Sequence, residues 1–110
     1  MEVNEYQQDA LRTEKGSCAK NDRLLQGLMG LAGEAGEAID ILKKHMFQGH
    51  LLDTGALAKE LGDVAWYLAV SADACGFTLE EIFNMNILKR RLRYPDGFNK
   101  YESINRKEYY

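Results

Sequence analysis

Two pairs of acids carry the chemistry in this sequence: Glu34 with Glu37, and Glu60 with Asp63. Residues three apart on a helix are neighbours, with Cβ atoms about 5–6 Å apart. An E-x-x-E helix therefore aims two carboxylates at one point, and an E-x-x-D helix facing it completes a cluster. Such a cluster repels itself unless a cation sits between the helices. All the donors are hard carboxylate oxygens. Neither motif has the histidine at i+3 that a di-iron bundle would place there. Oxygen-only ligation favours Mg²⁺, or Mn²⁺ in its place, over zinc and iron. The competing reading is two ordinary acidic helix faces, since each string alone is common.

The motifs need helices to hold them, and apolar residues recur at helical spacing along the chain. The first helix is expected over residues 4–14, with Asn4 as N-cap. A polar connection, residues 15–21, contains Gly16 and Ser17. The second helix is expected over 22–47, stopped by Gly49. The third starts near 53 or 54 and ends at Gly76. The fourth opens on Thr78 and Glu81, a capping box, and ends before Tyr94 and Pro95. Asp96-Gly97 reads as a turn. The aromatic tail, 98–110, either packs across a partner or is partly disordered.

Helical periodicity assigns Leu28, Leu31, Ala32, Ala35, Ile39, Leu42 and Met46 to the core stripe of the second helix. Glu34 and Glu37 share a separate flank with Gly30 and Ile41. On the third helix, Leu57, Leu61, Val64, Ala65, Leu68, Ala72 and Cys75 form the expected core stripe. Glu60 and Asp63 lie on another flank, which continues through Tyr67, Val70 and Ala74. That apolar continuation implies a buried flank, where an unpaired charge is costly. The fold expected is all-α: a single domain over 1–110, a helical bundle of four main helices completed by oligomerisation.

A second polar row lies on the fourth helix. Ile82, Asn86, Lys89 and Arg93 fall within about 60° of rotation, beside an apolar stripe of Met85, Leu88 and Leu92. Asn86 suits a place in the metal shell or a contact to a substrate oxygen, and Lys89 and Arg93 suit phosphate. Basic residues near a helix C-terminus also favour the dipole without any ligand. Lys44 lies near the flank of Glu37 and has the same two readings. Arg90 and Arg91 point elsewhere and are expected in solvent, as are His45 and His50. Trp66 and Tyr67 read as core or interface, though a nucleobase would stack on either.

The totals narrow the classes. A chain of 110 residues with a formal charge of −3 lacks the basic footprint of a duplex-DNA or RNA binder. Its two cysteines, Cys18 and Cys75, have no metal-ligand spacing and read as free thiols. The longest charge-free apolar run, 64–72, is far short of the ~20 residues of a membrane span. Residues 1–12 are polar, with no apolar leader segment, so a cytoplasmic location is the expectation.

The motifs together resemble the MazG-like family of the all-α nucleoside triphosphate pyrophosphohydrolase superfamily. The resemblance is carried by Gly33-Glu34-Ala-Gly-Glu37, by Glu60-Leu-Gly-Asp63-Val64 with Trp66-Tyr67, and by Arg93-Tyr94-Pro95-Asp96-Gly97-Phe98. It spans about residues 6–106 and looks like the single-domain form. It implies hydrolysis of a (d)NTP between the α and β phosphates, giving a monophosphate and pyrophosphate, for house-cleaning or pool control. It further implies Mg²⁺ held by Glu34, Glu37, Glu60 and Asp63, with one of these acids as general base. It implies assembly as a homodimer or homotetramer, with helices of two subunits building the site. Tyr94 matches the family's R-Y-P pattern as a substrate contact or a packing residue. Gln7, Arg12 and Thr13 would help to read the base if the first helix lids the site. Two other readings stand beside this one. The same fold would suit dUTP, dCTP or phosphoribosyl-ATP. A non-catalytic helical interaction module would use the acids to bind a basic partner.

Overall fold

The computed structural model describes residues 1–14 and 19–106, which form five α-helices. Cys18, the Gly16-Ser17 connection and the last four residues of the tail, 107–110, lie outside the described residues. No helix among the described residues is long and apolar enough to cross a membrane.

α1 spans Val3–Arg12, and its N-cap lies two residues ahead of the expected Asn4. Glu2 is the N-cap instead, and its backbone N–H donates to the Glu5 carboxylate at 3.4 Å. α2 spans Lys20–Phe47, starting just ahead of residue 22 and ending where expected. α3 spans Thr54–Ala74, and the Asp53 side chain accepts from the Ala56 N–H at 2.9 Å. Its C-terminus closes through Gly76, whose φ of +86° is the left-handed cap conformation. Phe77 N–H reaches back to Ala72 O at 2.9 Å, and Gly76 N–H to Asp73 O at 2.9 Å. α4 spans Leu79–Arg93 and stops before Tyr94-Pro95. A fifth helix, α5, Lys100–Ile104, orders part of what reads in the sequence as an irregular tail. It forms because the Asn99 side chain caps it, accepting from the Glu102 N–H at 3.0 Å.

The chain divides into two compact units, 1–79 and 80–110. In the first, α2 lies along α3, and α1 packs on α3. The core gathers at the C-terminal half of α3, where Ala69, Val70, Ala72 and Ala74 are buried together with Ala10 and Leu79. Gln7 is buried among them as a strut. Its amide donates to Ala69 O at 3.1 Å and Phe77 O at 3.2 Å, and its carbonyl accepts from Leu79 N–H at 3.0 Å.

The expected core stripe of α2 is not the face that packs. Leu28, Ile39 and Met46 are 49%, 63% and 61% exposed, and Ala32 and Ala35 are exposed too. Leu31 and Leu42 are half-buried. The face against α3 is the one with Gly27 and Gly30, roughly a third of a turn away. A Cβ on Gly27 would collide with the Ser71 side chain, and one on Gly30 with the Tyr67 ring. Close approach of backbone to side chain, rather than bulk hydrophobicity, selects this face. On α3, Val64, Ala65 and Leu68 are half-buried and Ala72 is buried, as expected, whereas Leu61 and Cys75 are exposed.

Candidate metal centre

The close contact between α2 and α3 sets the register of the acids. Gly27 lies against Ser71, and Gly30 against Tyr67, so the helices run antiparallel. One turn beyond Gly30, the same face of α2 presents Glu34. One turn before Tyr67, α3 presents Asp63, and then Glu60. Glu34, Glu37 and Glu60 each offer a carboxylate oxygen within 4.8 Å of the others. Asp63 is outside this close set, but its negative charge is felt at the Glu60 carboxyl. Three of the four acids singled out by spacing therefore converge, and the fourth stands nearby.

Burial is uneven within the cluster. Glu34 and Glu60 are half-buried and Glu37 is exposed, so the cluster opens to solvent on the Glu37 side. One oxygen on each inner acid, Oε2 of Glu34 and Oε2 of Glu60, is buried without a hydrogen-bond partner. The Glu60 carboxyl is raised above its ordinary range, chiefly because it shares a hydrogen bond with Glu34, and further by burial and by the Glu34 charge. Two carboxylates so close disfavour the charged form of Glu60. Two orphaned inner oxygens and a third carboxylate at the mouth are a donor set that fits a hard divalent cation.

Tyr6 of α1 also belongs to this neighbourhood. Its phenol is raised above its ordinary value, first by burial and then by the negative charges of Asp63 and Asp9. The sequence gives no sign of it, because nothing in the spacing of α1 relates it to α3.

The remaining candidates divide. Lys44 pairs with Asp40 of its own helix at 3.0 Å, as Lys43 does at 3.1 Å. These two cations, Lys44 first, hold the half-buried Asp40 carboxyl below its ordinary range. Asn86, Lys89, Arg93 and Tyr94 lie in the second unit. There, Asn86 Oδ1 accepts from Arg90 Nε at 2.9 Å, so Arg90 is tied to the polar row although it is exposed. Lys89 and Arg93 are half-buried, whereas Met85, Leu88 and Leu92, the expected apolar stripe, are 55%, 59% and 40% exposed. Tyr94 packs its ring on Phe98, with centroids 5.4 Å apart.

The residues suggested for base reading on α1 part company. Gln7 is committed to the core. Arg12 pairs with Asp9 at the surface at 3.4 Å. Thr13 accepts a hydrogen bond from Trp66 Nε1 at 2.9 Å. Beside it, Arg23 donates to Glu14 at 2.8 and 3.1 Å and to Asp73 at 2.9 Å. Hydrogen bonds to Glu14 and then to Asp73 hold its guanidinium firmly protonated. This triad joins residues 9 and 50 positions apart, a relation that no helical period reveals.

The family model described as MazG nucleotide pyrophosphohydrolase domain matches residues 23–98, which include both acid motifs and the polar row of α4. No curated protein and no solved structure matches the chain.

Proposed function

The chain belongs to the MazG nucleotide pyrophosphohydrolase family, and from that premise we propose that it hydrolyses (d)NTPs between the α and β phosphates in a Mg²⁺-dependent reaction. The observation that carries this reading is the convergence of Glu34, Glu37 and Glu60, with two orphaned oxygens, inside the matched region. Mg²⁺, when bound, supplies charge neutralisation of the polyphosphate and acidification of water. Glu34 and Glu60 would hold the ion through their buried, unpartnered oxygens, with the exposed Glu37 as a third ligand. Asp63, beside the cluster and close to Tyr6, serves as a fourth ligand or as the general base that takes the proton of the attacking water. Asn86, Lys89, Arg93 and Tyr94 are the proposed substrate contacts, the two cations for the β and γ phosphates. Lys44, already paired with Asp40, has a lesser claim to that role.

The same reading includes a homo-oligomer. Leu28, Ala32, Ala35, Ile39 and Met46 follow the alternating three- and four-residue spacing of a helix-pairing seam. The exposed members of that seam suit a second copy of α2.

The test is to incubate the protein with each (d)NTP and Mg²⁺ and to assay pyrophosphate against orthophosphate. Pyrophosphate release that is lost in Glu37→Gln or Asp63→Asn supports the proposal. Orthophosphate alone would mean the wrong bond. No turnover of any nucleotide, with the variants folded and still self-associated, would favour the interaction module.

A further inference from the structure

A cavity lies along the same helix pair. It has a volume of about 230 Å³ and is lined by Thr13, Glu14, Arg23, Gly27, Trp66 and Tyr67, among others. Its residues place it relative to the carboxylates. Trp66 and Tyr67 follow Asp63 by three and four positions, and Gly27 precedes Glu34 by seven. At 1.5 Å of rise per residue, the cavity starts one turn from the acids and ends about 10 Å from them. That is the stretch over which a ribose and base extend from an α-phosphate.

The walls are fixed before any ligand arrives. Trp66 Nε1 donates to Thr13 Oγ1 at 2.9 Å, and that hydroxyl in turn donates to Ala10 O at 2.9 Å. The indole is thus held at its polar edge while the ring stays only half-buried. Tyr67 meets it edge-on, with centroids 5.0 Å apart and planes at 89°. Gly27 lines the cavity with backbone alone. The polar end is equally ordered. Both Glu14 oxygens are held by Arg23, whose other contact is Asp73. A carboxylate has about four acceptor positions, so Glu14 retains capacity for an incoming N–H.

Resting on the pyrophosphohydrolase reading, we propose that this cavity binds the nucleoside part of the substrate, with Trp66 as the stacking wall and Glu14 as the reader of a base that bears an amino group. Cytosine and guanine present an exocyclic amino N–H to a carboxylate; at the 4-position, where cytosine has its amino group, uracil and thymine have a carbonyl oxygen, which the carboxylate disfavours. The alternative is that Glu14, Arg23 and Asp73 only lock three helix ends together.

Trp66 is the sole tryptophan in the chain, so its emission reports the cavity directly. The experiment titrates the full chain, in Mg²⁺, with α,β-imido analogues of dCTP, dGTP, dUTP and dTTP and with inorganic triphosphate. Binding is measured by calorimetry and by emission together. The nucleotides should quench Trp66 saturably and inorganic triphosphate should not. The dCTP or dGTP analogue should bind about tenfold more tightly than the dUTP analogue. Glu14→Gln should erase most of that difference while keeping the affinity for triphosphate. Thr13→Val, which frees the indole, should weaken all the nucleotide analogues and leave triphosphate unchanged. Calorimetric binding of nucleotides with Trp66 emission unmoved, or a base preference untouched by Glu14→Gln, would overturn the assignment and leave the pyrophosphohydrolase reading intact. Binding of neither nucleotide nor triphosphate would overturn that reading and this inference with it.

Discussion

α2 has two long faces about a third of a turn apart, and they differ in kind. The one toward α3 carries Gly27, Gly30 and Glu34, residues that are small or charged. The one turned away carries Leu28, Ile39 and Met46, which are large, apolar and exposed. α4 shows the same contrast: Met85 and Leu88 are outside, while Lys89 and Arg93 are half-buried. The inner face of α2 does its work through contact distance, because removing Cβ atoms brings α2 against the Tyr67 ring and sets the acids opposite one another. The outer face is suited to covering by another helix.

The contrast can be broken first on the inner face. Glu60→Gln or Glu37→Gln should lower pyrophosphate release by roughly two orders of magnitude or more, as expected for loss of a ligand to a catalytic ion. Steady-state assays with saturating Mg²⁺ check this. Gly30→Ala should come next. Its Cβ must displace Tyr67, at a cost of about 1–3 kcal/mol, seen as a lower denaturant midpoint with an unchanged slope. On the outer face, Ile39→Asp should leave the helical signal intact while light scattering shows a smaller species. A large loss of helix in a protein that stays the same size would reverse the roles assigned to the two faces.

The smallest effect is one of pH. The Glu60 carboxyl is raised in the folded chain. Its protonation therefore favours the fold fully below the unfolded value, and that contribution is lost as pH rises through the folded value. Without Mg²⁺ the thermal midpoint should fall slightly over that rise, and Mg²⁺ should restore it. Glu60→Gln should flatten the fall and abolish the response to Mg²⁺.

These faces also show what the sequence could and could not disclose. The helical period is local, so α2, α3 and α4 were legible within a few residues, as were the turn at Gly76 and the stop before Pro95. The acid motifs were legible because two carboxylates three apart must share a side. Which side turns inward was not, since that depends on what the neighbouring helix offers. Tyr67 favours a glycine, and a glycine carries no hydrophobic signal. The Glu14–Arg23–Asp73 triad and the Thr13–Trp66 bond depend on tertiary approach alone. α5 was missed because five residues give too short a period, and only the Asn99 cap could have betrayed it.

Gln7 carries a consequence for the order in which the chain is assembled. Its three bonds reach across sequence separations of 62, 70 and 72 residues. α1 is made before α2 and α3, yet the set of partners is not complete until residue 79 has been added. An isolated ten-residue helix is marginal in water. α1 thus waits, largely unformed, for the turn after α3. Chains arrested shortly before residue 79 should leave the amides of α1 unprotected in hydrogen exchange, and chains arrested well beyond it should protect them.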